Sequence, residues 1–239
     1  MQSRMDIFGN PMSAFSVETR HTKFIAVAEG EVSVESFSLP EREMSWETAL
    51  EHIRVPETPD DRDAVKFMFP SPLVFWDAGI KNFAADFFTP GRNYQAALLA
   101  MMATFCADFK YLPLSTRIGT PASEILRERH GVCQDFAHLM IAALRSLGFP
   151  ARYVSGYLRT HHAQTSEANV GADATHAWVS AYVPGEGWVD LDPTNNLVVS
   201  DEHITVAWGR DFGDVSPLKG VIVGGGSHNV KVRVRVIPL

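Results

Sequence analysis

Gly131-Val132-Cys133-Gln134-Asp135-Phe136-Ala137-His138, continuing from Leu139 to Gly148, is the stretch on which the reading of this chain turns. Apolar residues at Phe136, Met140, Ala143, Leu144 and Leu147 recur with a helical period, while Gln134, Asp135, His138 and Arg145 fall on the other side. Gly148 and then Pro150 end the helix. Cys133 therefore stands in a first helical turn, where unpaired N–H groups and the positive end of the helix dipole favour a thiolate. A lone cysteine ahead of an apolar helix is more often a small buried hydrophobe, so its partners further along the chain decide its meaning.

Composition narrows the field. With 239 residues and 46% hydrophobic content, the chain can bury one substantial core, or a core with a small satellite. A net charge of -7 argues against nucleic acid or an anionic membrane as a partner. Cys106 and Cys133 are the only cysteines and lack metal-like spacing, so neither a disulfide framework nor a zinc cluster is expected, and no cofactor is required. Residues 1–20 hold no continuous apolar run and no segment approaches a membrane span, which leads us to expect a cytoplasmic protein. The triplet Gly224-Gly225-Gly226 lacks the strand-then-helix setting of a phosphate loop and fits a hairpin turn.

Outward from the cysteine helix, the pattern predicts three regions. Residues 1–40 read as β structure, with a turn at Gly9-Asn10-Pro11 and strands at 24–28 and 31–37. Residues 41–70, rich in Pro, Glu and Asp, read as a connecting segment with a short helix at 47–53. Residues 71–239 form the expected core, opening with helices at 78–88, 93–109 and 123–129. Thr120 is the expected cap of the third, with Pro121 at its first position. Cys106, in the apolar part of the second, is expected to be a buried structural thiol. After Pro150 the period becomes two, giving strands at 152–158, 175–183, 188–192, 204–208, 221–223 and 230–237, with a polar loop at 161–174. Helices followed by antiparallel strands define an α+β fold.

A nucleophilic thiolate needs an imidazole, and the imidazole needs an acceptor that fixes its tautomer. His138 is five residues beyond Cys133, about 140° round the helix, and is badly placed. His176 is better placed, near a strand start on one face with Trp178, Ser180 and Tyr182. A five-residue loop over 182–186 would set Ala181 opposite Gly187 and Asp192 opposite His176. A shift of two would change the direct partner, but parity keeps both on one face. Taken singly, a strand histidine and an aspartate before proline are ordinary structural residues; taken with a first-turn cysteine, they favour catalysis. His161 and His162 read as part of a solvated loop.

These blocks, together with Gly148-Phe149-Pro150-Ala151-Arg152-Tyr153-Val154-Ser155-Gly156-Tyr157, His176-Ala177-Trp178-Val179 and Gly187-Trp188-Val189-Asp190-Leu191-Asp192-Pro193-Thr194-Asn195, resemble bacterial transglutaminase-like proteins of the cysteine-protease type. Residues 204–211, Ile204-Thr205-Val206-Ala207-Trp208-Gly209-Arg210-Asp211, look similar as well. The resemblance implies a papain-like core with Cys133 as nucleophile, His176 as base, Asp192 as its orienter, and a small N-terminal β domain. The chemistry expected is acyl transfer on a peptide or protein amide through a thioester; no residue separates hydrolysis from cross-linking, and hydrolysis is the preferred expectation. Gln134, Tyr157, Trp178 and the 161–174 loop are candidate substrate contacts, and Tyr111 is a candidate second oxyanion donor. The rival reading is a binding module that keeps the fold and recognises peptides without turnover.

Overall fold

The computed structural model describes residues 1–35, 37, 39, 42–159, 174–224, 227 and 229–237. Strands β1 (Gln2–Met5) and β2 (Pro11–Ala14) form a hairpin about the predicted Gly9-Asn10 turn. The turn is fastened to the rest of the chain through buried Asn10, which donates to the Trp208 carbonyl at 2.7 Å and accepts from the Trp208 N–H at 3.0 Å. Among the described residues, none of the strands expected at 24–28, 31–37, 221–223 and 230–237 is present. Ile25, Val27, Val32, Val221, Val223 and Val230 are exposed instead. An alternating run becomes a strand only where it joins a ladder, and none of the described sheets includes these runs.

Side-chain caps start the first helices. Ser45 caps α1 (Trp46–Arg54), Thr58 and Asp61 form a capping box on α2 (Pro59–Ala64), Asp77 caps α3 (Ala78–Ala85) and Asn93 caps α4 (Tyr94–Asp108). Leu98, Met101, Met102 and Phe105 bury one side of α4. Cys106 falls on its other side and is exposed, correcting the expectation of a buried thiol. Strand β3 (Lys110–Tyr111) leads towards α5 (Ala122–Glu128), whose N-cap is Pro121; the Thr120 hydroxyl bonds Arg117 and leaves the helix uncapped by a side chain. Strand β4 (His130–Gly131) then pairs parallel with β3, setting Tyr111 opposite Gly131.

The cysteine helix, α6 (Cys133–Ser146), is the centre of the molecule. Every residue from Asp135 to Arg145 is buried, so the expected polar side does not face water. Arg145 illustrates how such a side is accommodated. Its guanidinium donates to the carbonyls of Ala151, Phe69 and Arg210 and to the Ser71 hydroxyl, at 2.8–3.4 Å. Those bonds tie together four segments of the chain, which is what a buried cation needs to be tolerated.

Beside α6 stands a five-stranded sheet in the order β8-β7-β6-β5-β9. Its members are β5 (Ala151–Leu158), β6 (Ala174–Val183), β7 (Gly187–Asp192), β8 (Leu197–Val198) and β9 (His203–Gly209), all antiparallel to their neighbours. A short helix, α7 (Phe212–Val215), follows. Mixed helices on an antiparallel sheet make this an α+β fold. The β6–β7 connection is shorter than expected. Pro184-Gly185 forms a turn closed by the Glu186 N–H on the Val183 carbonyl, with Gly185 at φ +80°, the conformation a type II turn demands at that position. Val183 consequently faces Gly187, and the hairpin register is two residues away from the five-residue-loop expectation.

Candidate active site

Cys133 is the first residue of α6, partly exposed at the edge of the core. The turn that presents it is held by Asp135, whose carboxylate accepts the Val132 N–H at 2.9 Å and the Thr116 hydroxyl at 2.6 Å. Burial raises the Asp135 pKa, and those two hydrogen bonds offset it only in part. Tyr111, about half exposed, is also pushed up, first by burial and then by the charges of Cys133 and Asp135; it pairs with Gly131, two residues before the cysteine, and its ring stands edge-on to Phe136.

The register shift leaves Asp192 diagonal to His176 rather than opposite it, and parity keeps them on one face. The His176 Nε2 lies 2.7 Å from Asp192 Oδ2. Burial pulls the His176 pKa down, yet the hydrogen bonds to Asp192 and to the Cys133 thiol, with the charges of both, outweigh it and raise it to about 9. Asp192 is fully buried and collects five donors. Oδ2 takes His176, His203 (3.0 Å) and the Asn195 amide (2.7 Å), while Oδ1 takes the backbone N–H groups of Thr194 and Asn195. Burial alone would raise this carboxyl; the donors, led by His176 and His203, carry it well below the usual range. The result is an imidazole held between a fixed carboxylate and a thiol at a helix start.

The other candidates are placed as follows. Gln134 lies partly exposed in the first turn of α6, and Tyr157 partly exposed near the end of β5. Trp178 is completely buried, its indole N–H on Asp190 at 2.9 Å, so it is part of the framework and offers no surface to a substrate. His138 is likewise buried and accepts the Phe212 N–H at 3.2 Å; burial lowers its pKa to about 4. Its place away from the thiol agrees with the helical geometry. The 161–174 loop, with His161 and His162, lies outside the described residues, apart from Ala174 at the start of β6. His203 and Asn195 join the site without having been singled out in the sequence.

Among the described residues, His176, Asp192 and His203 are the group whose ligand atoms lie near enough for a metal, within 4.8 Å of one another. The facing atoms already satisfy one another by hydrogen bonding, and all three residues are buried. The set reads as a hydrogen-bonded relay. No helix among the described residues is long and apolar enough to cross a membrane.

A helix-borne cysteine set against a His–Asp pair from an antiparallel sheet defines the class in structural terms, and comparison with known proteins supplies the family. The transglutaminase-like superfamily model matches residues 81–193, and this core of the chain belongs to that superfamily. An uncharacterized protein of Mycobacterium tuberculosis is 42% identical over 173 residues, covering 70% of this chain and 55% of the relative. One of Mycobacterium leprae is 31% identical over 238 residues, covering 98% and 81%. A protein-glutamine gamma-glutamyltransferase of Pseudomonas aeruginosa is 30% identical over 117 residues, covering 43% of this chain and 17% of that protein. Among solved structures, a Cytophaga hutchinsonii protein assigned to the cysteine proteases aligns with a TM-score of 0.56 and 31% identity, over 68% of this chain and 51% of that one. The chain thus spans about half the length of the Mycobacterium tuberculosis relative and of the Cytophaga structure.

Proposed function

We propose that the protein is a thiol-dependent acyl-transfer enzyme acting on peptide or protein amides, with Cys133, His176 and Asp192 as its triad. The observation that carries this reading is the 2.7 Å His176–Asp192 hydrogen bond, on an imidazole whose pKa is raised by Asp192 and by the neighbouring Cys133. Cys133 attacks the amide carbonyl as a thiolate, forming the C–S bond, and its backbone N–H helps to hold the oxyanion. His176, as imidazolium, gives its proton to the departing amine as the C–N bond breaks. Asp192 keeps the ring oriented through both steps.

We assign the second half-reaction to hydrolysis. Water adds to the thioester, His176 takes its proton, and the carboxylic acid leaves as the thiolate is restored. Partial exposure of Cys133 supports access of water to that intermediate. The test is intact-mass measurement after incubation with peptide amide libraries, comparing the protein with Cys133→Ala. An acyl-sized adduct present only with the cysteine, turning over to free acid, is expected. Absence of any adduct overturns the enzyme reading in favour of a binding module, and incorporation of an added primary alkylamine in place of water overturns the hydrolytic one.

A further inference from the structure

The triad leaves His203 without a role, and its position takes some arranging. It begins β9, and two strands, β6 and β5, separate β9 from β7, which carries Asp192. Two features bring its ring across. One is the register shift between Ser155 and Gly156, where β9 carries an extra residue: Ser155 faces Ala207, but Gly156 faces Thr205 and Leu158 faces His203. Without that bulge Leu158 would face Ile204, and His203 would point to the other side of the sheet. The other is Gly156, which faces His176. A Cβ there would strike the Ile204 carbonyl oxygen and the Trp178 ring, so β5 places no side chain in the way.

Once across, the ring is locked. His203 is 3% exposed and packs edge-on against Trp178, centroids 5.2 Å apart at 83°, while Trp178 is itself pinned by Asp190. Its Nε2 meets Asp192 Oδ2 at 3.0 Å, and its Nδ1 is buried with no partner. A buried N–H with no acceptor costs about 1–3 kcal/mol, so the ring hydrogen belongs on Nε2, where Asp192 receives it.

We propose that His203 is a positioning residue: a second imidazole donor that shares Asp192 Oδ2 with His176, fixing the carboxylate and limiting how strongly it holds a proton on His176. The inference rests on the triad reading above. Among the described residues, the groups that bear on His176 are Asp192 from β7, the Cys133 thiol from α6 and His203 from β9, with Asp190 behind Trp178 and the uncharged Asn195 amide beside the ring. Removing one donor from Oδ2 leaves a stronger acceptor for His176.

The experiment is an NMR titration of the His176 ring in the full chain, its signal assigned by His176→Ala. His203→Leu keeps bulk and removes the donor; His203→Gln keeps an N–H near the position of Nε2. His203→Leu is expected to raise the His176 titration by about half a unit to one unit. His203→Gln is expected to leave it close to the unmodified protein, a rescue that a merely structural role does not explain. If His203→Leu fails to fold, His203→Asn, whose amide stops short of Asp192, is compared with His203→Gln instead. Equal His176 titrations in the donor and non-donor variants, or an unmoved one in His203→Leu, overturn the proposal. The readout needs no turnover, so an absent acyl adduct in the unmodified protein counts against the enzyme reading alone.

Discussion

Replacing Asp192 with asparagine removes one charge and turns one of two acceptor oxygens into a donor. One oxygen faces His176, His203 and the Asn195 amide, and the other faces two backbone N–H groups, so either amide orientation sets donor against donor. The His176 value of about 9 stands well above the ordinary 6.5. That gap corresponds to about 3 kcal/mol in favour of the imidazolium, shared between Asp192 and Cys133. With Asp192 neutral, only the Cys133 partner still opposes burial, and the His176 titration moves down towards the ordinary 6.5. A ring returned fully to 6.5 is a few per cent imidazolium at about pH 8 in place of roughly nine-tenths, so the loss there is up to about 30-fold. The assay is NMR titration of the His176 ring in the full chain, its signal assigned by His176→Ala. A titration at about 9 is expected with Asp192, and one lower by at least about a unit in Asp192→Asn. Superimposed profiles would refute the reasoning, because the carboxylate would then contribute nothing to the state of the ring.

Three further outcomes follow from the same geometry. Gly156→Ala forces a methyl into the Ile204 carbonyl and the Trp178 ring, and should cost about 2–4 kcal/mol in urea unfolding. Gly220→Ala, with open space around it, should stay within about 0.5 kcal/mol. Tyr111→Phe should slow acyl transfer by about 100-fold while leaving Cys133 alkylation unchanged, if the phenol helps to hold the oxyanion; parallel loss of both would show a packing role. Because His176 titrates higher in the fold than the ordinary 6.5, its contribution to stability is complete below 6.5 and is lost as pH rises through about 9. Urea midpoints of the unmodified protein should therefore converge with those of His176→Ala across that window. A constant difference between the two would count against the shift.

The sequence was most legible where period and punctuation agreed. Helices α1, α3, α4 and α6 and strands β5, β6, β7 and β9 lie where apolar spacing put them, bounded by Asp77, Asn93, Gly148 and Pro150. The His176–Asp192 contact was reached through a wrong register, because the Pro184-Gly185 turn takes three residues out of the ladder and not five. An error of two preserves the face, so the pair survived it; an error of one would have separated them. The polar side of α6 misled in another way. Period shows which residues are apolar, but Asp135, His138 and Arg145 are buried because helices and sheet enclose α6 on all sides, which only the assembled structure reveals. Trp178 was misjudged for the same reason. His203 had no local signal at all, since a bulge in β9 decides which way it points. The runs at 24–28, 31–37, 221–223 and 230–237 show the opposite failure: alternation was present, and no described sheet takes them in.

The enclosure of α6 bears on when the thiol becomes reactive. Its walls come from α3 and α5 ahead of it and β5 and β6 behind it, while the imidazole that tunes Cys133 arrives on β6 and is oriented from β7. On the triad proposed above, a partly synthesised or misassembled chain lacks the imidazole at its thiol. The reactivity proposed for Cys133 would then arise only when the last strands dock, which would make the rate of alkylation there a clock for completion of folding.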